Sequence, residues 1–116
     1  MRDVAIVGAG MTRFGKFLER SMKDLAREAV QAALKSAGVE QQALQAAVVG
    51  NAMAGLVTGQ ECIRGQVVLR DMGIGGIPIV NTENACASSS TASGNGRRSC
   101  SMRKPSAVPW APQPKQ

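Results

Sequence analysis

Cys86 is the residue whose setting in the sequence most clearly points to chemistry. It follows an apolar, β-branched run at residues 77–81 and precedes the small residues 87–93, which can open a helix. A helix N-terminus stabilises a thiolate through its dipole and its unpaired N–H groups. Those N–H groups can also hold the oxyanion of an acyl transfer. From the residues alone, a nucleophilic cysteine and a packing cysteine both stay open, and the packing cysteine is favoured because free cysteines are often small core residues. The hydroxyl-bearing residues 88–91 are interpreted as helix-capping or packing residues.

Two other patterns imitate functional sites. The Gly-Ala-Gly at residues 8–10 follows a strand-like run, as a dinucleotide-binding turn does. However, Arg13 stands where that fingerprint needs a third small residue. The fingerprint also needs a helix that begins at the turn, whereas the next predicted helix begins only at about Ser21. We therefore expect no nucleotide cofactor. Cys62 falls in a helical pattern and is interpreted as a packing residue, and no cysteine spacing predicts a disulfide framework or a metal site.

Strand-like and helical patterns alternate along the chain. Runs rich in β-branched and apolar residues predict buried strands at residues 4–7, 46–49 and 77–81. Helical patterns cover residues 21–37 and 61–72. This alternation predicts an α/β fold, in which a mixed or parallel sheet carries helices on its faces.

The helix at residues 21–37 has the clearest boundaries. Ser21 is a suitable N-cap, and Asp24 lies three positions on, in the first turn. Gly38 follows the last residue of the pattern, where a helix stop belongs. A short helix or turn is expected at residues 40–45.

Basic residues and prolines are concentrated at the C-terminal end. The chain has 116 residues and a formal net charge of +6; five of its 14 Lys and Arg, and none of its eight Asp and Glu, lie in residues 93–116. Four of its five prolines lie there as well. This composition predicts a basic, disordered tail after a domain at residues 1–92, and not a nucleic-acid-binding domain. Neither a signal peptide nor a membrane-length apolar run is recognisable, so we expect a cytoplasmic protein with reduced thiols.

Three blocks of the sequence resemble the thiolase superfamily. Residues 83–92, Glu-Asn-Ala-Cys-Ala-Ser-Ser-Ser-Thr-Ala, resemble its nucleophile motif, most closely in the sterol-carrier-type and acetyl-CoA acetyltransferase branch. Residues 10–15, Gly-Met-Thr-Arg-Phe-Gly, resemble the loop after its first strand. The Gly-Gln at residues 59–60, followed by Arg64 and Gln66, resembles an element that lies near the family's dimer interface.

The resemblance spans residues 3–92 and implies the N-terminal part of a thiolase-like domain. It implies an acyl-CoA C-acyltransferase: Cys86 takes an acyl group from acyl-CoA, and a second acyl-CoA or free CoA then accepts it, in Claisen condensation or thiolytic cleavage. Cys86 is the one catalytic residue carried over. The family's activating histidine and second cysteine are C-terminal, and this chain has no histidine. We therefore expect a truncated chain that is inactive by itself, acyl-CoA as the partner of the full-length family, no further cofactor, and a homo-oligomer in the full-length family.

Two alternatives to a thiolase by descent stay open. One is a non-catalytic fragment or association module, which the missing histidine favours. The other is a related condensing enzyme, such as a ketoacyl or hydroxymethylglutaryl-CoA synthase, although the block at residues 59–64 favours a thiolase. For the tail at residues 93–116, which does not resemble the family, the hypothesis is a shift of reading frame or a premature termination.

Overall fold

The computed structural model describes residues 3–102, with side chains as far as residue 100. Its helices and strands follow one another in the predicted alternating order. They are α1 (Met22–Ala37), β1 (Ala47–Gly50), α2 (Ala54–Thr58), α3 (Arg64–Asp71), β2 (Ile79–Thr82) and α4 (Ser88–Met102). Two 3₁₀ turns, Gln41–Ala43 and Ala85–Ala87, precede β1 and α4. The strands predicted at 46–49 and 77–81, the helix predicted at 61–72 and the turn predicted at 40–45 are thus confirmed, with shifts of one to three residues at most ends.

The two strands form a parallel pair with a helix on each face. In this pair Val49 lies opposite Asn81, and these two side chains point to the face on which α3 packs, at Gly65. Successive side chains of a strand alternate between faces, so Val48 points to the other face, where α4 packs at Gly96. The predicted α/β class, with helices on both faces of the sheet, is confirmed.

Helix α1 is delimited by local interactions that the sequence predicts. The Ser21 hydroxyl accepts a hydrogen bond from the Asp24 N–H at 3.2 Å, and the Asp24 carboxylate accepts one from the Ser21 N–H at 2.9 Å. At the other end Gly38 has a φ of +66° and its N–H reaches the carbonyls of the last turn. Such left-handed closure favours glycine because a Cβ would crowd the backbone. The helix predicted over 21–37 is therefore confirmed at both ends.

The strand predicted at residues 4–7 is wrong. Residues 3–14 have no regular secondary structure, and the segment lies against α1 instead. A Cβ at Gly8 would come within 2.6 Å of the Ala33 carbonyl oxygen, and one at Gly10 would overlap the Ala29 carbonyl oxygen. These glycines therefore allow the backbone to approach the helix closely. A strand forms only where a neighbouring strand accepts its backbone hydrogen bonds, and a helix surface offers none.

The domain boundary predicted at residue 92 does not coincide with the end of an element. Helix α4 runs through it to Met102, so residues 93–102 are helical and not disordered. Serine, asparagine and glycine are poor helix formers, but α4 packs along β1, with Gly96 close to Val48. Packing against the sheet overrides the weak local propensity. The remainder of the predicted tail, residues 103–116, lies outside the described residues.

Helices α1 and α3 are joined by an ion pair at the end of α3. The Arg27 guanidinium donates to the Asp71 carboxylate at 2.6 Å and to the Asp71 carbonyl oxygen at 3.2 Å. Both side chains remain partly exposed, so the pair adds specificity of packing more than stability. Within residues 3–102, no helix has the length and apolar character needed to cross a membrane.

Acid is expected to weaken the start of α1. The backbone and side-chain hydrogen bonds from Ser21 hold the pKa of Asp24 below its usual range. A carboxylate with a depressed folded pKa stabilises the fold fully above its unfolded pKa of about 4, and this contribution is lost as the pH falls through the lower, folded value. Far-UV circular dichroism should therefore show less helix for Asp24→Ala than for the wild type at neutral pH, and the same helix for both in strong acid. A difference that persists undiminished at low pH contradicts this account.

Candidate active site

Cys86 lies at the carboxyl end of the parallel strand pair. It is the middle residue of the 3₁₀ turn Ala85–Ala87, which joins the end of β2 to the start of α4. Its side chain is exposed and its thiol is free. In open α/β sheets, ligands bind in the crevice outside the carboxyl ends of the strands. The structure thus puts the predicted nucleophile between a strand and a helix N-terminus, as the sequence pattern indicates, and leaves the sulfur accessible to a substrate.

The backbone just before Cys86 adopts an unusual conformation. Ala85 has a φ of +43°, in the left-handed region that residues with a Cβ rarely occupy. The Ala87 N–H donates to the Asn84 carbonyl oxygen at 2.8 Å and closes the turn over Cys86. Such strained residues persist only where their surroundings hold them, and they cluster at functional sites.

The first turn of α4 sits directly on the ends of both strands. A Cβ at Gly50, the last residue of β1, would come within 2.5 Å of the Ser88 carbonyl oxygen. From β2, the Thr82 hydroxyl donates to that same oxygen at 3.4 Å. Gly50 is therefore needed for its lack of a side chain, which lets the helix carrying Cys86 approach the sheet. The sequence shows only a glycine after an apolar run, and nothing in it predicts this close contact.

On the opposite face of the sheet, Asn81 fixes α3 to β2. Its side-chain oxygen accepts from the Gly65 N–H at 2.6 Å, and its amide nitrogen donates to the Gln66 side chain at 2.6 Å. Gln66 in turn donates to the Ile79 carbonyl oxygen at 3.2 Å. A Cβ at Gly65 would fall within 2.6 Å of the Asn81 oxygen. These hydrogen bonds connect β2, the strand that leads to Cys86, to helix α3. Gln66 belongs to a block that stands out in the sequence, but nothing in the sequence predicts that Asn81 bonds to Gly65 and Gln66.

The Gly-Gln and Arg elements noted in the sequence organise the loop before α3. Gly59 ends α2 with a φ of +75°. The Gln60 side chain donates to the Cys62 carbonyl oxygen at 2.7 Å. Arg64 donates to the carbonyl oxygens of Asn51 and Glu61, each at 3.2 Å. These contacts hold the connection between β1 and α3 and do not touch Cys86.

Cys62 is not the helix-packing residue that the pattern predicts. It lies in a bend before α3, which begins only at Arg64, and its side chain is exposed. Ile63 between them has a φ of +43°, so the chain turns sharply there and the helical pattern does not extend back to Cys62. The structure does not bring Cys62 to Cys86 as a hydrogen-bond partner.

The Cys86 turn and its sheet can be compared with known families. The family model described as "Thiolase, N-terminal domain" matches residues 4–104. The chain belongs to the thiolase family. The resemblance that three short blocks of the sequence show is thereby confirmed, and the matched range ends at residue 104, 12 residues after position 92.

Individual thiolase-family relatives give the same picture. The acetyl-CoA acetyltransferase of Methanocaldococcus jannaschii is 44% identical over 79% of this chain and 23% of its own length. Sterol carrier protein 2 of Gallus gallus is 43% identical over 78% of this chain and 16% of its own length. The acetyl-CoA acetyltransferase of Methanothermobacter thermautotrophicus is 41% identical over 83% of this chain and 25% of its own length. The chain therefore spans a quarter or less of these relatives.

Filling the contact at Gly50 is expected to destabilise this thiolase-family chain. In Gly50→Ala the added Cβ meets backbone atoms of Ser88, which cannot move without displacing α4, so we expect overpacking to lower the free energy of unfolding by about 1–3 kcal/mol. The measurement is the urea midpoint of unfolding, followed by far-UV circular dichroism.

Gly94→Ala is the matched control for this substitution. A Cβ at Gly94 meets nothing within 4 Å, and alanine is a better helix former than glycine by about 0.5–1 kcal/mol. Its urea midpoint should equal or exceed that of the wild type. Equal midpoints for Gly50→Ala and the wild type would show that the close contact between β1 and α4 is not required.

Proposed function

We propose that Cys86 accepts an acyl group from an acyl-CoA thioester. The observation that carries the proposal is the exposed thiol of Cys86 at the junction of β2 and α4, in a chain that belongs to the thiolase family. The sulfur attacks the carbonyl carbon of the thioester, the bond from that carbon to the CoA sulfur breaks, and CoA leaves as the thiol with the proton that Cys86 gives up. One thioester replaces another, so the step needs no oxidant or reductant.

For the full-length family, we propose a second step that follows acyl transfer to the cysteine. Relatives named acetyl-CoA acetyltransferase share 41–44% of the aligned residues with it. By descent, the acyl-enzyme would pass its acyl group either to a second acyl-CoA, in Claisen condensation, or to free CoA, in thiolytic cleavage of a 3-ketoacyl-CoA. Both directions need an acid–base group to move protons, and the resemblance assigns this task to a histidine, which the chain lacks. The activity proposed for the 116-residue chain itself is therefore acyl acceptance without turnover.

A cytosol-like, reducing compartment is the proposed location. All three cysteines, Cys62, Cys86 and Cys100, are exposed and free. Exposed free thiols persist where cellular reductants keep them reduced.

Incubation of the full chain with acetyl-CoA is expected to acetylate Cys86 ahead of the other two cysteines. Trypsin cleaves after Arg64, Arg70 and Arg97, so it releases the three cysteines in different peptides, and mass spectrometry can measure each one. Cys62→Ser should keep the adduct, and Cys86→Ser should lose it. Since all three thiols are exposed, exposure alone cannot produce this selectivity. Equal acetylation of all three peptides would refute the proposal.

A second candidate function, a non-catalytic association module, is favoured by the large apolar surface of the described residues. Only Leu69, Ile74 and Ala92 are buried apolar side chains there, whereas Ile6, Phe14 and many others are exposed. Large exposed apolar patches mark association surfaces. Concentration-dependent association in analytical ultracentrifugation, combined with no acetyl adduct on Cys86, would favour this candidate over the first.

A further inference from the structure

The turn that carries Cys86 contains a polar side chain that is almost completely buried. Ser88 has only 4% of its surface exposed, although it lies two residues after the exposed Cys86. A buried hydroxyl needs hydrogen-bond partners to offset the loss of water. The partners of Ser88 therefore indicate what its burial achieves.

The Ser88 hydroxyl bonds to the chain on the other side of Cys86. It accepts a hydrogen bond from the Asn84 N–H at 2.8 Å and donates one to the Ala85 carbonyl oxygen at 2.7 Å. Asn84 and Ala85 are the two residues immediately before Cys86. A single hydroxyl thus links the residues before the nucleophile to the first residue of α4, and the backbone of Cys86 is enclosed in the loop between them.

One of these partners is the residue with the unfavourable backbone conformation. Ala85 has a φ of +43°, which a residue with a Cβ adopts only when its surroundings compensate. The hydrogen bond to its own carbonyl oxygen is a direct compensation. Without that bond, the chain before Cys86 is expected to relax to a negative φ and to redirect the Cys86 side chain.

Ser88 can hold the turn because it is itself fixed to the sheet. Its carbonyl oxygen accepts a hydrogen bond from the Thr82 hydroxyl at 3.4 Å. The same oxygen lies in the space that a side chain of Gly50 would occupy. Because Ser88 is fixed to the sheet, the hydrogen bonds of its hydroxyl fix the loop before Cys86 relative to the sheet. Ser89, the next residue, has the same side chain but is exposed, so it offers a comparison within the same helix turn.

We propose that Ser88 is the positioning residue of Cys86: its hydroxyl holds Ala85 in the left-handed conformation and thereby directs the thiol out of the start of α4. Ser88 acts through the backbone of the turn and does not touch the substrate. The purpose assigned to this arrangement rests on the proposed acyl acceptance, but the arrangement itself can be tested without acyl-CoA.

The test is the alkylation rate of Cys86 by iodoacetamide in the full chain, measured from about pH 6 to about pH 9. Each rate is divided by the rate of Cys62 in the same molecule, which cancels differences in reagent and concentration. Ser88→Ala should lower this ratio by about threefold to tenfold, the effect of losing a hydrogen bond or two, and should change its dependence on pH. Ser89→Ala, the matched control, should leave the ratio and its pH profile as in the wild type.

Rescue by a second hydroxyl separates the loss of the hydroxyl group from the other effects of replacing Ser88. Threonine at this position keeps a hydroxyl that can bond to the carbonyl three residues earlier, so Ser88→Thr should restore the ratio and the pH profile. If Ser88→Ala gives the ratio of the urea-unfolded chain and Ser88→Thr gives that of the native chain, the hydroxyl is again identified as the group that holds the turn. A ratio for Ser88→Ala equal to that of the wild type overturns the proposal, and so does an alanine-like ratio for Ser88→Thr.

A second substitution addresses the strained residue directly. Glycine adopts a positive φ without strain, so adding Ala85→Gly to Ser88→Ala should recover part of the lost alkylation rate. No recovery would contradict the role assigned to Ala85. Failure of acetyl-CoA to label Cys86, with the alkylation ratio responding as described, would remove the proposed function and leave this inference standing.

Discussion

The close contact between the first turn of α4 and the carboxyl ends of the two strands is the constraint on which the candidate site depends. The Ser88 carbonyl oxygen lies where a side chain of Gly50 would be, and the Thr82 hydroxyl reaches the same atom. Cys86 lies in the short turn between β2 and this helix. Because the turn is so short, the position of the helix on the sheet determines where the thiol can be.

On the opposite face of the sheet, hydrogen bonds of a β2 side chain hold helix α3 in place. There Asn81 bonds to both the backbone and the side chain of α3 at Gly65 and Gln66. Val49, the residue opposite Asn81 in β1, points to the same face. Side chains of adjacent positions in β2 therefore serve two helices: Asn81 serves α3, and Thr82 serves α4. The alternation of side chains along a strand lets four residues of β2 hold a helix on each side.

Much of the fold could be predicted because its signals are local. The start of α1 follows from the capping contacts between Ser21 and Asp24, and its end follows from Gly38, which bonds to the last turn of the helix. The strand at residues 79–82 follows from a short β-branched run, and the place of Cys86 between strand and helix follows from its neighbours in the sequence. The strand predicted at residues 4–7 failed because the same local signal needs a partner strand, and this segment lies on a helix instead.

The sequence by itself determined the family, the α/β order and the identity of the candidate nucleophile, since these depend on residue types at nearby positions. Only the tertiary structure decided that Gly50 must lack a side chain, that Asn81 binds α3, that residues 93–102 continue α4 and that Ser88 is buried beneath the Cys86 turn. Each of these involves atoms that are distant in sequence, apart from the bonds of Ser88 to Asn84 and Ala85, which depend on an unusual φ at Ala85. Propensity does not predict such a φ, because the packed helix and sheet around the turn maintain it.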